Sequence, residues 1–109
     1  MSMEVALEEL SEVARRYGPT AYAAVSAPDG PPRVTHVSPQ IEGIMITIGL
    51  GRRSVELLGQ HATLGLLWPA TDREPMSLIV DAVVDEIQPD GVVRVRAVSG
   101  VHHRPAPTD

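Results

Sequence analysis

Gly43-Ile44-Met45-Ile46-Thr47-Ile48-Gly49-Leu50-Gly51-Arg52-Arg53-Ser54, continued by Val55-Glu56-Leu57-Leu58-Gly59-Gln60-His61 and by Ala62 to Trp68, is the stretch on which the rest of the chain turns. A β-branched run ends in Gly-x-Gly, two arginines and a serine open one short helix, and a second apolar run follows at once. The order predicted is strand, loop, helix, strand. Free backbone N–H groups at a helix start, two guanidinium groups and a hydroxyl are what a phosphate ester needs, so a phosphate-bearing ligand is expected at Arg52, Arg53 and Ser54.

Composition limits the alternatives. A chain of 109 residues is expected to form one domain (1–109), hiding about two-thirds of its unfolded surface and needing no covalent staples. It has no cysteine, which excludes a disulfide framework, a thiolate metal site and a cysteine nucleophile. Without a charged-then-apolar leader or an apolar run of roughly 18 residues, a cytoplasmic protein with no membrane partner is expected. A net charge of −5, no Phe and only Trp68, Tyr17 and Tyr22 as aromatics oppose a nucleic-acid partner. His36, His61, His102 and His103 lack the spacing and carboxylate partners of a metal site, and no nucleophile-and-base pair suggests hydrolysis.

Upstream of the central stretch, Met3, Ala6, Leu7, Leu10, Val13, Ala14 and Tyr17 recur at helical spacing. They predict an amphipathic helix over 1–18, capped by Ser2 and stopped by Gly18-Pro19. Thr20 to Ser26 and Pro32 to Ser38 read as two strands joined by Ala27-Pro28-Asp29-Gly30-Pro31. Gly43 to Ile48 is apolar on both faces and is expected at the centre of the sheet, as is Ala62 to Trp68. Downstream, Met76 to Ile87 and Val92 to Val98 alternate on either side of Gln88-Pro89-Asp90-Gly91, with acidic and basic side chains placed to pair across the hairpin. Residues 99–109 hold little apolar surface and read as a tail. The pattern therefore predicts a mainly β (α+β) domain. Six antiparallel strands over 20–98 close into a small barrel that removes their edges, with an N-terminal helix and one short inserted helix.

The element order, the Gly-x-Arg-Arg-Ser helix start and Leu64-Gly65-Leu66-Leu67-Trp68-Pro69 resemble the flavin-binding split β-barrel superfamily of the pyridoxamine 5′-phosphate oxidase type, over roughly Thr20 to Ile87. The resemblance implies a six-stranded split β-barrel that binds FMN in a groove at a homodimer interface. Residue by residue, Arg33 or Thr35 resembles the phosphate contact on the family's second strand, Thr47 the hydroxyl of its third, and Arg52, Arg53 and Ser54 its helix-start set. Trp68 could pack against the flavin ring, or else belongs to the core or the dimer interface.

The departures are specific. Ser54 stands where the family carries lysine, leaving the phosphate charge to Arg52 and Arg53. Pro75 stands where the family often sends a polar side chain to the flavin, and proline has no donor. The family's C-terminal substrate motif has no counterpart here. The resemblance thus implies a small, divergent relative using FMN or the deazaflavin F420, an oxidoreductase in which the cofactor performs the electron chemistry and no protein side chain need act as acid or base. The alternative is a non-catalytic flavin carrier, or a dimeric barrel that binds no cofactor. Neither the small-molecule substrate nor the electron acceptor follows from these residues.

Overall fold

The computed structural model describes residues 2–107. Its strands are β1 (Ser2–Val5), β2 (Ala21–Val25), β3 (Arg33–Val37), β4 (Gln40–Glu42), β5 (Met45–Gly49), β6 (Thr63–Trp68), β7 (Ser77–Ile87) and β8 (Val92–His103). Its helices are α1 (Leu10–Arg15), preceded by a 3₁₀ turn at Leu7–Glu9, and α2 (Arg52–Gln60). The strands are antiparallel in the order β3-β2-β6-β7-β8-β5-β4, with β1 added beside β8. The two ends of that order are covalently adjacent, because only Ser38 and Pro39 separate β3 from β4. The chain bends at Pro39 from pairing with β2 to pairing with β5, and so closes the barrel wall.

Cross-strand partners share a face of the sheet, so the register fixes what points inward. Ala23 opposes Leu66, Leu66 opposes Val80, and Ile46 opposes Val95, all fully buried. Leu10, Val13, Ala14 and Tyr17 bring α1 over one end of this core, where Ala21, Trp68 and Leu78 lie. Leu57 and Leu58 bring α2 over the other, at Val25 and Leu64.

Each of the six expected strands is present, and the departures lie in the connections and the ends. The helix expected over 1–18 is instead a strand, a 3₁₀ turn and the six-residue α1. Val5 pairs with Gly100 and is buried against it, and this pairing covers a stretch of β8 that β5 does not reach. Edge pairing and burial here outweigh a helical pattern worth a few tenths of a kcal/mol per residue. The tail expected over 99–109 begins instead as the last five residues of β8, Ser99 to His103, held by backbone pairing to both β7 and β1. The ends of these two expected segments, Met1 and residues 108–109, lie outside the described residues. The strand at Gly43 to Ile48 is not central: β5 has only the short β4 beyond it, while β7 and β8 hold the middle. Its second face is half-buried rather than buried.

The first two residues of the strand expected over Gly43 to Ile48 form a turn instead, while the β7–β8 hairpin behaves as the sequence predicts. Glu42 faces Met45 across a two-residue loop in which Gly43 takes φ +63, a positive value that favours glycine. Across the β7–β8 hairpin Arg94 and Glu86 approach to 3.7 Å, a half-exposed pair worth at most about 1 kcal/mol.

Where α1 meets the barrel end, Tyr17 is buried and donates its phenol hydrogen to the carbonyl of Met76 at 2.7 Å. It accepts from Nδ1 of His102 at 2.9 Å, which places the imidazole proton on Nδ1. Burial pushes the phenol pKa above its ordinary value, and the Glu74 carboxylate adds to the rise. The folded state thus holds this proton more tightly than the unfolded chain. The resulting stabilisation is complete below about pH 10 and is lost as pH rises through the folded value. Tyr17→Phe is expected to cost about 1–2 kcal/mol at pH 7 and to flatten the loss of stability above pH 10. Urea unfolding of both proteins at several pH values checks this, and identical alkaline slopes would contradict it.

Candidate functional site

At the α2 end of the barrel, Gly49, Leu50 and Gly51 lead from β5 into the helix. Gly51 occupies the N-cap position in an extended conformation (φ −75, ψ 168), and having no side chain it leaves the first N–H groups of α2 without a side-chain cap. Arg52 and Arg53 follow and are both exposed. Arg52 lines a groove of about 450 Å³ between the first turns of α2 and the β7–β8 turn. Arg53 is held loosely at 3.7 Å by Glu56, one helical turn on. The groove also contains the carboxylates Glu56 and Asp90. Asp90 is partly committed, accepting from the N–H of Val92 at 3.1 Å.

The far wall of this groove was not legible as a site residue set. Gln88, Pro89, Asp90 and Gly91 read as an ordinary hairpin turn, yet the Leu50 N–H donates to the Gly91 carbonyl at 2.9 Å and ties the turn to the approach of α2. The only sequence signal was the glycine itself, which takes φ +87.

The other nominated residues are dispersed. Ser54 is 3% exposed and turned into the barrel, so its side chain does not share the surface of Arg52 and Arg53. Arg33 and Thr35 lie on β3 opposite Val25 and Ala23, on the inward-facing side. Arg33 is exposed and Thr35 half-buried. Arg33 begins its strand just after the β2–β3 turn, whose Ala27 and Pro28 share a groove with Gln60 and His61 at the far end of α2. It therefore stands at the same barrel end as Arg52, with the nine-residue helix, about 13 Å long, running from Arg52 toward that groove. Thr47 opposes Gln40 and Arg94 on the outward side of the wall. Trp68 is at the opposite end of the barrel and 1% exposed, opposite Leu78, so it is a core residue with almost no surface to offer a ring.

The outward side of β2, β3, β6 and β7 carries apolar side chains among polar ones such as His36, Thr63 and Asp81. Val34 is 64% and Tyr22 38% exposed, and Leu67, Ile79 and Val83 are half-buried beside them. Tyr22 stacks on His36 with ring centroids 4.8 Å apart. Among the described residues no group of three or more His, Cys, Asp or Glu side chains is arranged to hold a metal ion, and no helix is long and apolar enough to cross a membrane.

Solved structures share this architecture. An F420 reductase superposes with a TM-score of 0.64 at 14% identity, covering 74% of this chain and 87% of its own. A FAD-binding protein from Mesorhizobium loti gives 0.66 at 12% identity over 94% and 96% of the two chains. HutZ, the heme storage protein from Vibrio cholerae, gives 0.60 at 13% identity over 87% and 91%. No protein-family model matches the chain, and no curated protein matches it by sequence. At such identities the likeness is one of fold, and the fold is the split β-barrel.

Proposed function

We propose that this split barrel binds a phosphorylated flavin-type cofactor, FMN or the deazaflavin F420, with the phosphate at the start of α2, and that it acts as an oxidoreductase. The observation that carries the reading is the uncapped N-terminus of a nine-residue helix flanked by two exposed arginines beside a groove. The donor set fits a phosphate ester: backbone N–H groups, a helix dipole of the right sign and two permanently charged guanidinium groups. Arg33, at the same barrel end, is the candidate for a further cationic contact. Ser54, Thr47 and Trp68 are left out of the proposed set because their side chains are buried, on the opposite side of the wall, or at the opposite end. When bound, a flavin or deazaflavin supplies the electron chemistry, and the chain's own part is to hold the phosphate and orient the ring. That an F420 reductase and a FAD-binding protein share the fold supports this choice of ligand class.

A second reading has its own observation. Glu56 and Asp90 share the groove with Arg52, and like charge lowers affinity for a dianion. This favours a barrel that keeps the fold without the cofactor. Difference-absorption titration of the purified chain with FMN and with F420 separates the two, since saturable binding of either supports the first reading and none supports the second.

Val34 and Tyr22 are exposed on one wall beside the half-buried Leu67, and a second copy related by a two-fold axis is the economical way to cover them. A homodimer is therefore part of the proposal. Light scattering at micromolar concentration is expected to give twice the 11.7 kDa chain mass. A monomeric mass would remove this part of the reading.

A further inference from the structure

Two grooves flank α1, and the helix divides its charges between them. One is lined by Glu8, Glu9 and Glu12 together with Arg16, and Ser11 borders both grooves. The other, about 400 Å³, runs between α1 and the β3–β4 corner and is lined by Ser11, Arg15, Pro19, Pro39, Ile41 and Trp68. No carboxylate lines this second groove, although the chain as a whole carries a net charge of −5. Arg15 is exposed and has no salt-bridge partner among the described residues.

The two polar groups are placed to act together. Ser11 and Arg15 are four residues apart and so lie on one face of α1, one turn above the other. A guanidinium offers a planar fork that matches a carboxylate, and a hydroxyl beside it can donate a third hydrogen bond. The other lining residues, Ala14, Gly18, Pro19, Pro39 and Ile41, offer no polar side chain. Trp68, almost wholly buried, borders the groove at its inner edge. A volume of about 400 Å³ has room for a small ligand.

We propose that this groove is a binding site for a small monoanionic carboxylate with a flat apolar body. The carboxylate pairs with Arg15 and accepts from the Ser11 hydroxyl, and the body lies against Pro39 and Ile41 beside Trp68. The site is at the opposite end of the barrel from α2 and does not depend on any cofactor there.

Trp68 is the chain's only tryptophan, so its emission and its indole N–H resonance report on this groove directly. The full chain is titrated with 3-phenylpropanoate, and with 3-phenylpropanamide as the uncharged analogue. The carboxylate is expected to saturate with a millimolar or tighter Kd, and the amide to bind about tenfold more weakly or worse. Arg15→Ala should weaken the carboxylate about tenfold or more without changing the amide. Arg15→Lys should restore part of the loss, and Arg52→Ala should change neither ligand. Arg15 is exposed, so its variants are expected to fold as the parent does. No saturation up to about 10 mM, equal affinity of parent and Arg15→Ala, or sensitivity to Arg52→Ala in place of Arg15→Ala would each overturn the proposal.

Discussion

Replacing Arg52 and Arg53 together with alanine is expected to weaken binding of FMN or F420 by at least about a hundredfold. In the proposed site each arginine would contribute one charge-assisted contact to the phosphate, worth roughly 1.5–3 kcal/mol, and a factor of ten corresponds to about 1.4 kcal/mol. Riboflavin, which has no phosphate, should bind the parent weakly and respond little to the double substitution. Folding should hardly notice. Both side chains are exposed, the Arg53–Glu56 pair at 3.7 Å is half-exposed, and positive charge in the first turn opposes the helix dipole. The double variant without ligand is therefore expected to melt within a few degrees of the parent. Titration calorimetry of parent and variant with FMN, F420 and riboflavin measures all of these quantities together. If the parent binds a phosphorylated cofactor and the variant binds it as tightly, the phosphate lies elsewhere on the barrel.

The reach of sequence reasoning can be followed through individual residues. Alternating apolar runs such as Leu64, Leu66 and Trp68 exposed their period directly, because a barrel strand must put every second side chain into the core, and all three are buried. The short helix was legible for a similar reason. Leu57 and Leu58 face inward while Arg52 and Arg53 stay out. What stayed hidden was held by backbone pairing and not by apolar side chains. Ser99 to His103 has one aliphatic residue, Val101, and joins β8 because β1 and β7 supply partners on both edges. Ser2–Val5 carries a helical pattern that long-range pairing overrides. For the site, local spacing identified Arg52 and Arg53 correctly as neighbours on one exposed helix start. It could not show that Ser54, next in sequence, turns inward, or that Trp68 lies at the far end of the barrel, since both depend on which side of the wall a side chain occupies. The groove at Arg15 joins residues from α1 and the β3–β4 corner, and nothing in local sequence brings those together.

Gly91 supplies a test of how the candidate site is held in place. It takes φ +87, and a Cβ added there would lie 2.8 Å from the Leu50 carbonyl oxygen, closer than such contacts occur. Gly43 also has positive φ, +63, but a Cβ there meets nothing within 4 Å. The two glycines therefore share a backbone cost and differ in space. Gly43→Ala should cost about 1–2 kcal/mol, the penalty of a left-handed alanine. At Gly91 the same penalty is joined by an overlap with backbone, which cannot rotate away as a side chain would. Gly91→Ala is expected to cost about 2–4 kcal/mol, or roughly 10–20 °C in Tm for a domain of this size. Relief of the clash requires the β7–β8 turn and Leu50 to separate, which breaks the 2.9 Å bond from the Leu50 N–H to the Gly91 carbonyl and shifts the approach to Arg52. Gly91→Ala should consequently weaken phosphorylated-cofactor binding at temperatures where it is still folded, whereas Gly43→Ala should leave binding unchanged. Urea unfolding and cofactor titration of both variants decide the matter. Equal destabilisation by the two would show that the turn and α2 are not coupled through this contact, and with it the mechanical link between the β7–β8 hairpin and the arginines would be lost.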